Sequence, residues 1–177
     1  MDEQTTDEKL RKTLFLEAMS RGATFVTVLT TNGEGGLFGV TVSSMTSVSA
    51  DGFAPTILAC VHQKSPAAAA LIANKHFCAN ILHENQHDVS DIFSGRLVKD
   101  HGARFDSVNW TNGKNGVPLL VGATANFECI LRTSLLWETH HIMIGHVMEV
   151  QLNDDPKALL YGQRGYRKAV SVLGEGS

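Results

Sequence analysis

Over residues 123–131 apolar and polar side chains alternate: Ala123, Ala125, Phe127, Cys129 and Leu131 fall on one side of an extended chain, and Thr124, Asn126 and Glu128 fall on the other. Only a period of two sorts them this way, so the segment is expected to be a strand with one face on a core and the other in water. The same period runs through TFVTVLTT (24–31) and through HHIMIGHVMEVQL (140–152). Between them, Asn32-Gly33-Glu34-Gly35-Gly36 supplies hairpin-turn residues, and a second strand is expected to return from Leu37 to Ser43. PTILACV (55–61) is apolar on both faces, as a strand buried on both sides would be, and HFCANIL (76–82) is short and strand-like.

Helical signals are fewer. Thr5-x-x-Glu8 has the form of a capping box, and Leu10, Leu14 and Ala18 recur at helical spacing, which predicts an amphipathic helix over residues 1–20 packed on one side of the domain. Ser65 as a cap and Pro66 in the first turn open a helix through AAAALIA, and Val89, Ile92 and Phe93 mark a brief third one. The polar stretch from Gly95 to Pro118, with Asn112-Gly113 and Asn115-Gly116, reads as a loop-rich excursion over the surface. Six or so strands with so little helix predict a mainly β fold, a closed antiparallel β-barrel with α-helical decoration, and not a parallel βαβ sheet. A chain of 177 residues, 43% of them apolar, builds one core comfortably and two poorly. One domain is therefore expected, with the helix over 1–20, the barrel over 21–155 and a polar tail over 156–177 that carries Tyr161 and Tyr166.

A formal charge of −3 offers no clustered cationic surface to nucleic acid or to an anionic membrane, so neither partner is expected. No stretch approaches the roughly 20 apolar residues of a membrane-spanning helix, and MDEQTTDEKL is acidic where a signal peptide is basic and then apolar. These features predict a cytoplasmic protein. The three cysteines, Cys60, Cys78 and Cys129, are odd in number and set among apolar neighbours, so they read as small buried hydrophobes.

His83-Glu84-Asn85-Gln86-His87 matches the H-E-x-x-H pattern of zinc hydrolases, which needs both histidines on one helix face. Here the first histidine follows directly on a strand, and no metal site is predicted. GEGGLFG (33–39) lacks the G-x-G-x-x-G spacing and no helix follows it, so it is a hairpin turn and not a dinucleotide fingerprint. P-loop and nucleophile-elbow motifs are also missing.

GVTVSSMTSVS (39–49) crowds small hydroxyl residues at a strand end without any charge. Such a segment fits an exposed Ser/Thr-rich strand, and it equally fits a strand and turn whose hydroxyls and backbone N–H groups receive a planar heterocycle. CVHQKSP (60–66) leads from a buried strand into a helix start, where Lys64, Ser65 and unpaired N–H groups would suit a phosphate.

These blocks, together with MSRGATFVTVLTT (19–31), FCANILHENQHDVSDIFSG (77–95), RFDSVNW (104–110) and HHIMIGHVMEV (140–150), resemble in order and spacing the short-chain NAD(P)H:flavin oxidoreductases. These are the reductase components of two-component flavin monooxygenases. The resemblance covers about Phe15 to Tyr166. It implies a split β-barrel of the FMN-binding type, usually a homodimer, with FMN or FAD as flavin and NADH or NADPH as hydride donor. By that resemblance Thr41, Val42, Ser43 and Ser44 would contact the isoalloxazine ring and ribityl chain, with Ser47 close by. Cys60, Val61, His62 and Ser65 would follow the flavin towards its phosphate, and Phe93 or Ser94 would border the groove. His140 would place the nicotinamide as the histidine of a Gly-Asp-His signature, although Glu138-Thr139 stands here where the family has Gly-Asp. Only one of His140 and His141 can face the flavin, since neighbours on a strand alternate. Tyr166 resembles a C-terminal aromatic that lies over the groove in relatives. The implied partner is a flavin-dependent monooxygenase reached by diffusing reduced flavin. Two other outcomes fit the same residues: a reductase that keeps its flavin and passes electrons to another acceptor such as a corrinoid, and a flavin- or haem-binding module without turnover.

Overall fold

A computed structural model describes residues 3–172, and side chains from Thr6 onward. The chain runs α1 (Glu3–Ser20), β1 (Thr24–Phe25), β2 (Thr27–Thr31), β3 (Phe38–Val42), β4 (Thr46–Ser49), β5 (Thr56–His62) and α2 (Pro66–Asn74). It continues through β6 (His76–Ile81), α3 (His87–Phe93), α4 (Ala103–Asp106), β7 (Trp110–Asn112) and β8 (Pro118–Leu120). The long strands β9 (Ala125–Trp137) and β10 (His140–Leu152) follow, then the hairpin β11 (Leu159–Gly162) and β12 (Gly165–Lys168).

Seven strands form one sheet in the order β3-β2-β6-β9-β10-β5-β4, every pair antiparallel. The barrel expected to be closed is therefore split, because β3 and β4 are free edges with no ladder between them. Bending comes from two irregularities in the β9–β10 ladder, where Arg132 and Met148 are the extra residues of bulges. Gly145 sits beside the first of them. A Cβ there would lie 2.6 Å from the ring of Phe77 on β6, so glycine leaves the room that this core ring fills.

The core has two layers. Inside the sheet, Leu29, Val42, Ile57, Val61, Phe77 and Met143 pack against Ala68 and Leu71 of α2. Outside it, Val26, Val28, Leu82, Phe93 and Phe105 pack with Leu159 under α3, α4 and the β11–β12 hairpin. All five residues of β2 are consequently buried. Residues 159–168, expected to lie in a polar tail, pair with β1 through Tyr161↔Thr24 and form part of the body.

The alternation in β9 sorts its faces correctly but does not say what lies over them. Asn126 and Glu128, expected to face water, are 8% and 1% exposed, because the β7–β8 hairpin covers that side. A buried amide stitches the hairpin down. Asn80 donates to the Val28 carbonyl and the Thr30 hydroxyl, and its side-chain oxygen accepts from the Leu120 N–H at 2.9 Å and from Asn126 at 2.7 Å. The Thr30 hydroxyl in turn donates to the Pro118 carbonyl. Glu128 Oε2 accepts the Asn115 N–H at 3.2 Å. Its charge, after the larger effect of burial, helps push the Cys129 thiol up to about 12.

Helix α1 departs from expectation in a second way. It begins at Glu3, so Thr5 lies inside it and not at its cap; the Thr5 side chain is outside the described residues. Its apolar side chains stay largely uncovered, with Leu14, Phe15 and Met19 60%, 61% and 63% exposed, although Leu16 and Met19 border a pocket against Thr24 and Tyr161. Periodicity shows which side of a helix wants burial, but not which chain supplies the surface. Among the described residues no helix is long and apolar enough to cross a membrane.

Asn80→Ala orphans the buried Leu120 N–H and takes from the Asn126 amide the nearer of its two acceptors, and is expected to lower unfolding free energy by about 2–3 kcal/mol in urea titrations, with the slope unchanged.

Candidate functional site

The split in the barrel is lined from both sides. β3 stops at Val42 on one free edge, the chain turns through Ser43, Ser44 and Met45, and β4 begins on the opposite edge. Two pockets open there and share Thr41, Val42 and Ser43. The larger, about 300 Å³, continues past Ser44 and Cys60 to His62, Ser65 and His140. The smaller, about 180 Å³, runs instead towards Ser90, Ser94, Arg96, Tyr161 and Tyr166. Because β3 is an edge strand, the backbone groups on its outer side have no ladder partner, and its hydroxyl residues keep the approach low. No carboxylate lines either pocket.

Ser44 closes the top of the split. Its hydroxyl donates to the Cys60 carbonyl at 3.1 Å and accepts the Cys60 N–H at 2.9 Å, continuing the register in which Thr46 faces Leu58. That side chain is committed to the fold, so what it offers a ligand is the position of the turn. The Thr41 hydroxyl is likewise engaged, with the Ser90 carbonyl at 2.8 Å.

At the far end His62 and His140 are register partners on β5 and β10, and their rings meet edge to face with centroids 4.9 Å apart. His62 Nδ1 accepts the Lys64 N–H at 3.0 Å, which leaves the proton of a neutral ring on Nε2. His140 Nδ1 lies 2.9 Å from the Thr139 hydroxyl. His141 faces away, bonded through Nδ1 to Ser134 at 3.1 Å, and it lines neither pocket. The alternation of the strand thus puts His140, and not His141, on the wall of the larger pocket.

The helix start at α2 is a poorer phosphate cradle than CVHQKSP suggests. Pro66 has no N–H, Ala68 gives its own to the Ser65 carbonyl, and Ser65 gives its own to the His62 carbonyl. The Ser65 hydroxyl makes no cap bond. Three further expectations shift. Ser47 is exposed on β4 opposite Ile57 and lines neither pocket. Phe93 is 1% exposed and packs edge-on against Phe105, pressed so close to Gly39 that a Cβ there would lie 2.5 Å from its ring. Cys60, unlike Cys78 and Cys129, is only half-buried and belongs to the larger pocket.

Sequence reasoning missed Val26, Ser90, Arg96 and Tyr161. Ser90 and Arg96 flank the same DIFS run that supplies Ser94, but nothing in that run says that its polar side turns inward. Tyr161 belongs to the segment expected to be a polar tail, where no pocket wall would be sought. The Arg96 guanidinium is held further into its charged form, first by a hydrogen bond to Tyr161 and then by Asp91. The Tyr166 phenol is raised by burial, with Asp91 adding to it.

The H-E-x-x-H pattern does not form the helical pair of histidines that it requires. His83 lies on an isolated bridge to Ala158 and α3 starts only at His87, so the two histidines share no helix face. Among the described residues no group of three His, Cys, Asp or Glu side chains is placed to hold an ion.

Residues 19–169 match the family model described as the flavin reductase like domain. The chain is 35% identical over 152 residues to an FMN reductase (NADH), RutF, of Stutzerimonas stutzeri, covering 86% of this chain and 85% of that one. Among solved structures it is similar to BorF, the flavin reductase component of a bacterial two-component tryptophan halogenase, at 30% identity and a TM-score of 0.80, covering 89% and 97% of the two chains. It is also similar to the NADH:FAD oxidoreductase SgcE6 of Streptomyces globisporus in complex with NAD and FAD fragments, at 26% identity and a TM-score of 0.82, covering 92% and 95%.

Ser44→Ala removes both bonds to the Cys60 backbone and is expected to lower stability by about 1–2 kcal/mol in chemical denaturation, whereas Ser43→Ala stays within about 0.5 kcal/mol of the parent.

Proposed function

The chain belongs to the flavin reductase family, and on that premise we propose that it reduces FMN or FAD with NADH in the split of the barrel and releases the reduced flavin to a separate monooxygenase. The observation that carries this reading is the pair of pockets meeting at Thr41, Val42 and Ser43. A flat ring needs a wall of small side chains beside exposed backbone donors, and the free edge of β3 with the Ser43–Ser44 turn has both. The residues present fit the flavin in this sense.

A bound flavin would contribute hydride acceptance at N5 from C4 of the dihydronicotinamide, chemistry that asks for no protein nucleophile. What the chain contributes is placement. The Ser44 clip keeps the turn from opening, so the donors of Thr41 to Ser44 would stay fixed on one edge of the ring. Fixed donors need no reorganisation as negative charge develops on the pyrimidine end. His140, on the opposite wall with His62 against it, would orient the nicotinamide over the open face. Glu138 and Thr139 carry that histidine where the family has Gly-Asp; Glu138 adopts φ 49° and Thr139 braces the ring.

The same reading includes a homodimer. The outward apolar face of α1, with Leu14, Phe15 and Met19, and the exposed tip of the β9–β10 hairpin at Leu135, Leu136 and Trp137, would be covered by a second copy.

Anaerobic mixing with NADH is expected to bleach the visible band of added FMN, and protein that leaves it unbleached would sink the enzyme reading. His140→Ala is expected to cost about tenfold in kcat/KM for NADH, equivalent to roughly 1.4 kcal/mol, while flavin affinity holds. Native protein should take one equivalent of a thiol reagent, at Cys60, and saturating FMN should slow that labelling; labelling indifferent to FMN would place the flavin elsewhere.

A further inference from the structure

On the Tyr166 side of the split, side chains from separate segments converge on one carboxylate that lines neither of the two pockets there. Asp91 Oδ1 accepts from the Tyr166 hydroxyl at 2.6 Å and from Arg96 Nη1 at 3.0 Å. Tyr166 Oη also lies 2.9 Å from Ser90 Oγ. Asp91 is on α3, Arg96 follows that helix, and Tyr166 comes from β12, some seventy residues later. The main chain joins in, because the Asp91 carbonyl accepts the N–H groups of Arg96 at 2.9 Å and Leu97 at 3.2 Å and the Ser94 hydroxyl at 3.1 Å. Tyr161 lines the same pocket as Arg96 and stacks edge-on against Tyr166 with centroids 5.6 Å apart.

The arrangement is lopsided in an informative way. The Asp91 side chain is 21% exposed and the Arg96 side chain 57%, so the carboxylate is turned into the body while the guanidinium reaches into the pocket. A pair with so exposed a cation adds little stability, on the order of 0–1 kcal/mol, which gives no reason to gather two hydroxyls and an arginine around it. No acidic side chain faces into the pocket, and Ser43 and Ser90 stand beside Arg96. A planar guanidinium has five N–H groups, and the contact to Asp91 leaves donors over for a bidentate anion.

We infer that Asp91 is a positioning residue for nucleotide binding: its carboxylate holds Arg96 and Tyr166 as one wall of the groove, and Arg96 there takes a phosphate of the bound nucleotide. The inference rests on the flavin reductase reading above. The phosphate is either that of the flavin or that of the pyridine dinucleotide, and the chemistry of the contact is the same for both.

Steady-state kinetics of Arg96→Ala, Asp91→Ala, Asp91→Asn and the Asp91→Ala/Arg96→Ala double variant, with FMN, riboflavin and NADH varied in turn, test it. Arg96→Ala is expected to raise one KM about tenfold or more with kcat within about threefold, the signature of lost binding. A rise for FMN but not for riboflavin identifies the flavin phosphate, and a rise for NADH with either flavin identifies the dinucleotide. Asp91→Ala is expected to reproduce that KM change, and the double variant to go no further, because both lesions act on one guanidinium. Asp91→Asn keeps an acceptor for Tyr166 and Arg96 and should recover most of the loss. Arg96→Ala with all three KM values unchanged overturns the inference, as does a double variant whose effects multiply. Should Asp91→Ala fail to fold, the KM values of Arg96→Ala and Asp91→Asn decide between the same two outcomes. Wild-type protein that oxidises no NADH with either flavin overturns the flavin reductase reading and this inference with it.

Discussion

Seven antiparallel strands that bend round without meeting leave two free edges, and the site depends on how those edges are held. Thr46 faces Leu58 across the β4–β5 ladder, and the next rung would pair residue 44 with residue 60. Ser44 supplies that rung with its side chain, donating to and accepting from the Cys60 backbone. The chain can therefore leave β3, cross the split in three residues and still be anchored to the far side. Were the rung made by backbone, the turn would lie flat on β5 and the split would be filled. A hydroxyl side chain stands the main chain off by the length of one residue's arm, and the groove is the space so left.

A free edge is ordinarily a hazard, since unpaired N–H and C=O groups invite another strand. Here the edge of β3 is flanked by α3, which receives the Thr41 hydroxyl at Ser90, and by the C-terminal hairpin, which brings Tyr161 and Tyr166 alongside. These covering pieces are also what give the smaller pocket its polar wall. Protection of the edge and the lining of the pocket thus use the same residues, and Asp91 joins them by holding a tyrosine from the hairpin and an arginine from the loop after α3.

On the opposite side of the sheet the polar groups are sealed in. Asn80 meets four partners around one amide, and its role is to fasten the β7–β8 hairpin over strands that would otherwise show Asn126 and Glu128 to water. The two faces illustrate one rule from two directions. The amides buried under the hairpin are paired with each other, whereas the backbone groups on the outer edge of β3 have no ladder partner.

Much of this was legible in the chain. Period-two alternation located β2, β9 and β10, the Ser65-Pro66 start located α2, and the blocks around GVTVSSMTSVS and CVHQKSP pointed to residues that do line the split: Thr41, Val42, Ser43, Cys60, His62 and Ser65. Such features are local, because side-chain period and capping chemistry are set within a few residues. What lay outside local reach was every question of what covers what. Alternation placed Glu128 and Asn126 together but could not tell that a hairpin would bury them, and helical spacing gave α1 an apolar side without supplying a surface for it. Phe93 and Ser94 are neighbours, yet only packing against Gly39 and Phe105 sends one to the core and the other to the groove. The same holds for Asp91, Arg96 and Tyr166, which meet only because β12 returns to α3 after seventy-odd residues. The sequence by itself determined the strands, their faces and the chemical type of the site; the tertiary structure alone decided which edges stay open and which distant side chains meet there, because those contacts exist only after the chain has closed on itself.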